Sequence, residues 1–312
     1  MAAVLPTADP GLDFRGELCE LLRAAPENRL LDFPGTRIFD EPIVGVADGD
    51  DPLFAVFRRV VGPAHFLPRE LLAACCPDAD LACVRVVAWA FPFAAAVRKS
   101  NRAVDFPSPL YSLARNNGAA WMEQLAGRLA ERLQARGWAA VVPSAREDYT
   151  AYRCPELTFS STWSERHAAF AAGLGRFGLS RALLTPVGSN VRLGSLITNL
   201  PLPVTPRDGD EHRAPCLASG GKTCGRCIAR CPAGAISSAG MDKTRCYEMR
   251  RQIRDRCLDE YVGKMHLTPS TVATSGRRTS GYSLGCALCQ CGVPCEGAAP
   301  ETERAAGDQV RT

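Results

Sequence analysis

At 312 residues, nearly half of them apolar, the chain is long enough for one large domain or two ordinary ones and can bury a sizeable core, which excludes disorder on a large scale. Its 37 basic and 33 acidic residues leave a net charge of only +4, so charge offers no argument for a nucleic-acid or membrane partner. The first residues, Met1 to Pro10, lack the basic segment and apolar core of a secretory signal, and no stretch reaches the roughly 18 apolar residues that span a bilayer. Fifteen cysteines without an export signal are expected to be thiolates kept for metal in the cytoplasm rather than disulfides.

Residues 1–60 read as a lead-in subdomain, mixing an amphipathic helix from Leu12 to Ala25 with strand-like runs such as Pro42 to Val46. An α/β body is expected over 61–205. Within it, Cys83 to Phe91, ended by Pro92, has the length and composition of a buried strand. Large apolar residues recur at Trp121, Leu125, Leu129 and Leu133, lining one face of a helix from Trp121 to Arg136, with Gly137 as its C-terminal cap. Trp138 to Val142 follows as a strand. Thr162-Trp163-Ser164-Glu165 has capping-box form and opens a small, apolar helix, His167 to Gly173. Arg181 to Thr185 and Val191 to Leu200 are strand candidates around the turn Pro186 to Ser189. Strands and helices alternate, which indicates an α/β fold.

Four prolines between Leu200 and Pro215 mark a boundary, leaving a cysteine-rich domain over 206–298 and a flexible tail over 299–312. Its clearest element is a helix from Asp242 to Val262, with Cys246, Met249, Ile253 and Cys257 on one face. Cys246 and Cys257 would stand roughly 16 Å apart on that helix, at ~1.5 Å per residue, so they cannot share one cluster. Around the helix lie two groups of cysteines, Cys216, Cys224, Cys227 and Cys231 followed by Pro232, then Cys286, Cys289, Cys291 and Cys295. Cys224-x2-Cys227-x3-Cys231-Pro232 resembles the end of a bacterial ferredoxin run, in which the last cysteine ligates the neighbouring cluster. By that likeness Cys216, Cys224, Cys227 and Cys295 hold one 4Fe-4S cluster, and Cys231, Cys246, Cys286 and Cys289 a second. Cys257 and Cys291 are spare. Zinc is the competing occupant, since paired Cys-x2-Cys motifs also build tetrahedral zinc sites. Cys19, Cys75, Cys76, Cys83 and Cys154 read as buried small hydrophobes.

The segment His167 to Gly178, with its glycines at 173, 175 and 178, and its continuation from Leu183 to Asn199 resemble the core of epoxyqueuosine reductases and corrinoid reductive dehalogenases. The resemblance runs from about Arg85 to Glu296. It implies a nitroreductase-like mixed sheet that binds base-off cobalamin, followed by a ferredoxin-like module with two 4Fe-4S clusters. On that likeness His167, Gly175, Gly188, Ser189, Arg192, Leu193, Gly194 and Thr198 are the cofactor-binding residues, with the glycines admitting a flat macrocycle. Packing and turns are the alternative use of those glycines. The expected activity is an iron–sulfur oxidoreductase drawing electrons from a low-potential donor such as ferredoxin or flavodoxin. The alternative is an electron carrier that binds no corrinoid.

Departures from the family pattern are expected to matter. Where epoxyqueuosine reductases carry an acidic proton donor, this chain has Asn116 and Asn117, and an amide cannot deliver a proton as a carboxylic acid does. Tyr111, Tyr149 or Tyr152 is left as a donor, so Tyr111, Asn116 and Tyr152 are the catalytic candidates. Cys216 precedes Cys224 by eight residues instead of three, and Val293 occupies the position of the family's third cysteine, so Cys291 or Cys295 must substitute. Cys295, after the Gly292-Val293-Pro294 turn, is preferred. The chain ends soon after this motif, without a helical-repeat extension, so a small molecule is expected as substrate in preference to tRNA.

Overall fold

A computed structural model describes residues 13–207, 216–218, 223–274 and 277–300. The chain opens with α1 (Phe14–Ala24), whose Phe14, Leu18 and Leu22 are buried at helical spacing. It continues through β1 (Ile43–Asp48), α2 (Leu53–Val60), α3 (Pro68–Cys75), β2 (Arg85–Pro92) and α4 (Ala95–Ser100). Next comes α5, one helix of 27 residues from Pro109 to Ala135. Ser108 caps it, its hydroxyl accepting the Tyr111 N–H at 3.1 Å, and Pro109 fits the first turn. Gly137 ends it at φ +83°, as the sequence predicts. The helix starts earlier than the apolar stripe from Trp121 indicates, and Tyr111 to Gly118 lie within it.

Then follow β3 (Ala140–Val141), the hairpin β4 (Ala151–Cys154) and β5 (Thr158–Ser161), α6 (Glu165–Ala171), the short pair β6 (Arg176–Phe177) and β7 (Leu183–Leu184), and β8 (Val191–Thr198). The cysteine-rich part contains α7 (Arg226–Ala229), the pair β9 (Ile236–Ser237) and β10 (Gly240–Met241), α8 (Lys243–Tyr261) and the hairpin β11 (Ser270–Thr274) and β12 (Arg277–Gly281). Asp242 caps α8 by accepting the N–H groups of Thr244 and Arg245 at 2.9 and 3.0 Å.

Strands β1, β2, β8 and β3 form one antiparallel sheet in that order. Helices cover both faces. Val87, Trp89 and Phe91 of β2 point into a core shared with α1 and α5, while Val86, Ala88 and Ala90 point into a second core with α2, α3 and α6. A strand buried on both sides needs no polar alternation, which is why β2 reads as a continuous apolar run.

Neither sequence boundary separates the cores. β1, assigned to the lead-in subdomain, pairs with β2 along its whole length, from Ile43 opposite Ala90 to Asp48 opposite Arg85. The first core also takes in Ile253, Cys257 and Tyr261 of α8 with Leu284 and Cys291. Much of the Pro-rich stretch, and the tail beyond residue 300, lie outside the described residues.

Candidate functional site

The eight assigned cysteines fall into two neighbourhoods. Burial pushes the Cys227 thiol up to about 11, and Cys295, Cys216 and Cys224 add to the effect in that order. Cys295 is raised by burial and feels Cys216 and Cys224 in turn. Cys289 is raised well above an ordinary thiol by burial and then by Cys286, Cys246 and Cys231, with Cys227 of the other group as the weakest neighbour. Cys246 is raised by burial, with Cys286 and Cys231 adding and Arg250 opposing. Cys227 and Cys289 are each raised first by burial and then by the thiols beside them. N–H donors already address the sulfurs: Ala235 to Cys231 at 3.3 Å and Leu288 to Cys286 at 3.5 Å. Among the described residues no three His, Cys, Asp or Glu side chains converge on the scale of a single ion.

The two remaining C-terminal cysteines lie apart from these groups. Cys257 is fully buried in the first core, 3.9 Å from the Ser112 hydroxyl. Cys291 is equally buried, accepts a hydrogen bond from Asn190 Nδ2 at 2.8 Å and is pushed up to about 12, chiefly by burial and then by Glu296. Cys295 sits on a segment tied to the body by Ser189 N–H donating to its carbonyl at 2.7 Å. The carboxylate of Glu296, almost wholly buried, pairs with Arg102 and accepts the Gly292 N–H at 3.1 Å.

The residues assigned to cobalamin are mostly engaged elsewhere. A β-carbon on Gly175 would stand 2.3 Å from the Leu184 carbonyl oxygen, and one on Gly188 the same distance from that of Glu296. Gly194 lies beneath the Trp89 indole, whose Nε1 would be 2.5 Å from such a carbon. These glycines admit neighbouring protein, so packing and turns are their use here. Leu193 packs into the second core, Thr198 donates to the Ala139 carbonyl at 2.7 Å, and the Ser189 hydroxyl faces the Cys295 sulfur at 3.7 Å. His167 bonds the Ser164 hydroxyl at 2.8 Å between the rings of Phe57 and Phe177. Among the described residues, Arg192 alone of this set is left with its functional group uncommitted.

The catalytic candidates are dispersed. Tyr111 is fully buried and donates to Asn190 Oδ1 at 2.8 Å; burial raises its pKa. Asn116 donates to Asn117 Oδ1 and the Thr268 carbonyl, both at 3.0 Å, and accepts the Ser283 N–H at 2.8 Å. It splints the segment after α8 to α5. The Tyr152 hydroxyl accepts the Ala64 N–H at 3.3 Å on the β4–β5 hairpin.

A group missed from the sequence is Glu165. Its expected capping box does not form: the helix is capped at Ser164 without a side-chain bond, and Glu165 instead accepts the Ser195 hydroxyl on β8 at 2.6 Å. Burial raises its carboxyl to about 7, opposed by hydrogen bonds from Ser195, Ser144 and Trp163. The motif gave only half the signal, because a glutamate after a helix start can turn inward as readily as back.

Four arginines meet beside the second cysteine group. Residues 192, 194 and 196 of β8 share a face, and Arg192 therefore projects toward α5. Arg115 reaches it from α5, and the Nε atoms of Arg115 and of Arg250, from α8, flank Gly285 at 3.6 and 3.7 Å from its β position. Arg166 comes from α6. Burial pushes Arg192 down to about 9, with Arg115 the next cause, and lowers Arg115, with Arg250 the next cause there. Arg166 and Arg250 stay open to solvent, so these guanidinium groups line a recess rather than a filled core.

No family model matches the chain. A stretch of 126 residues is 31% identical to an epoxyqueuosine reductase of Bacillus cereus, covering 38% of this chain and 31% of that one, and 29% identical to one of Bacillus anthracis with the same coverage. The matched region spans about a third of those relatives' length. Among solved structures, a selenomethionine-labelled epoxyqueuosine reductase aligns at 18% identity and TM-score 0.47 over 92% of this chain and 67% of that one. The enzyme of Streptococcus thermophilus aligns at 16% and 0.43 over 93% and 69%. A reductive dehalogenase aligns at 16% and 0.40 over 67% and 27%. Over its matched segment, the chain is a divergent homologue of the epoxyqueuosine reductases.

Proposed function

We propose that the chain is a cytoplasmic iron–sulfur reductase that takes electrons from a low-potential donor such as ferredoxin or flavodoxin and reduces a small molecule rather than a tRNA. The observation that carries the reading is the division of eight thiols into two groups of four, the second beside an arginine-lined recess. Cys216, Cys224, Cys227 and Cys295 would hold one 4Fe-4S cluster, and Cys231, Cys246, Cys286 and Cys289 the other. When bound, such clusters store and pass single electrons at potentials set by charge, hydrogen bonds and exposure. The chain supplies those settings. The Ala235 and Leu288 N–H groups donate to sulfurs, and Arg166 faces Cys246 and Cys289 with positive charge that favours a reduced, more negative site. Cys227 and Cys289 bring the two groups within electrostatic reach of each other.

Cobalamin, which the resemblance implies, is not matched by the residues assigned to it, because all but Arg192 are spent on packing or internal bonds. That observation favours the second reading, a two-cluster electron carrier that binds no corrinoid and serves a partner protein. Among the described residues no helix is long and apolar enough to cross a membrane.

Anaerobic reconstitution, iron analysis and electron paramagnetic resonance with added cobalamin test these readings. About eight irons per chain are expected for two clusters; zinc in place of iron would overturn the assignment. A Co(II) signal without nitrogen coupling from a lower ligand would restore the corrinoid to the reductase. Cluster signals with free cobalamin alone would leave a reductase or carrier that works without it.

A further inference from the structure

We infer that the recess lined by Arg115, Arg166, Arg192 and Arg250 binds a small molecule with at least two negative charges, held through phosphate or carboxylate oxygens beside the second cysteine group. This deepens the reductase reading by naming the substrate class of the same site.

Four guanidinium groups from α5, α6, β8 and α8 converge, and among the described residues none forms an ion pair. Arginines elsewhere do: Arg69 with Asp50, Arg85 with Asp48, Arg102 with Glu296 and Arg207 with Asp51. Arg115 Nε is buried with no hydrogen-bond partner, a donor left bare at a cost unless a ligand meets it. Among the described residues, the one hydrogen bond these four side chains make to the fold is Arg166 Nη1 donating to the Arg181 carbonyl, at 2.9 Å. Like charges held this closely repel, and an anion seated among them would relieve that repulsion.

A cluster on the second cysteine group would answer part of this charge, since Cys286 faces Arg115 and Cys246 and Cys289 face Arg166. Arg192 is different. The groups that act most on its charge are Arg115, Tyr111, Arg250 and Tyr149, with no thiol among them. Planar guanidinium forks suit the paired oxygens of phosphate and carboxylate. The buried Nε of Arg115 sets the anion inside the recess, within reach of a compact molecule and away from a polymer backbone lying on the surface.

The test is calorimetric titration of inorganic pyrophosphate into the anaerobically reconstituted full-length chain at low salt, with iron measured on the same samples. Saturable binding is expected, weakened at least about tenfold in R192Q and in R115Q, with iron content unchanged. R59Q, an exposed arginine elsewhere, should bind as the parent does. Absence of binding, equal weakening in R59Q, or loss of iron in R192Q would overturn the inference, the last by making Arg192 a counter-charge to a cluster. A stem-loop RNA that binds where pyrophosphate does not would overturn the small-molecule assignment. Pyrophosphate binding to a chain that fails to assemble clusters would sink the reductase reading and leave the anion site standing.

Discussion

Replacing Gly188 by alanine separates a glycine used for packing from one kept clear for a macrocycle. Gly188 has φ +91°, and a β-carbon there would lie 2.3 Å from the Glu296 carbonyl oxygen and 2.6 Å from both the Glu296 carbonyl carbon and Gly297 Cα. All three are backbone atoms and cannot rotate aside. The left-handed conformation costs an alanine roughly 1–2 kcal/mol. Forcing the 295–297 segment away adds about 1–3 kcal/mol of overpacking strain. The sum, about 2–5 kcal/mol, is a large part of the 5–15 kcal/mol that typically holds a domain together. The same displacement would draw Cys295 from its group and weaken the Ser189 N–H bond to the Cys295 carbonyl. Urea unfolding of the metal-free chain should therefore show a lower midpoint, and the reconstituted variant should lose about half its iron, the share of one of two equal clusters. Unfolding within about 0.5 kcal/mol of the parent, combined with weaker cobalamin binding, would refute the packing role.

Cys257→Ser should leave the iron content unchanged, because the thiol lies in the first core beside Ser112, whereas Cys224→Ser should remove about half; iron analysis of both variants decides between the ligand assignments. Glu165 is protonated more readily in the fold, near pH 7 against an ordinary 4.5, so its contribution to stability is full below about 4.5 and is lost as pH rises through 7. The loss is at most ~3 kcal/mol, and urea midpoints between pH 5 and 8 should fall less in E165Q, which keeps a neutral partner for Ser195. Tyr111→Phe should cost about 1 kcal/mol by deleting one buried bond to Asn190, while any catalytic pH profile keeps its shape.

Much of this architecture was legible because local rules and tertiary demands agreed. The four-residue recurrence from Trp121 to Leu133 marks a real buried stripe, Gly137 takes the positive φ of a helix end, and the apolar run in β2 reflects helices on both sides. Short Cys-x2-Cys intervals keep Cys224 beside Cys227 and Cys286 beside Cys289, whereas the placing of Cys231, Cys246 and Cys295 rests on the ferredoxin likeness. What stayed hidden depends on what faces what. A glycine reads the same whether its open side meets a ligand or the Trp89 indole, and Glu165 reads as a capping residue until the sheet supplies Ser195. The hairpin of β4 and β5 is too short to leave a pattern. The recess is built from residues 115, 166, 192 and 250, which no local window brings together.

Asn116 shows what an amide does for the fold in a stretch where the resemblance leads one to expect an acid. An aspartate at this position would still accept the Ser283 N–H, but it would set a carboxylate against the Thr268 carbonyl and Asn117 Oδ1, both of which now receive N–H donors at 3.0 Å. N116D would thus lose two donated bonds and gain repulsion, costing about 2–4 kcal/mol, while N116A removes the partner of the Thr268 carbonyl and of the Ser283 N–H but leaves Asn117 Oδ1 its bond from the Thr268 N–H at 3.0 Å. The amide is required by the splint between α5 and the 268–283 segment. Placing an acid at 116 should destabilise the chain without creating a proton donor, measurable as a lower urea midpoint with no gain in substrate reduction. Recovery of activity in N116D at parental stability would show instead that the position still serves chemistry and that the splint is dispensable.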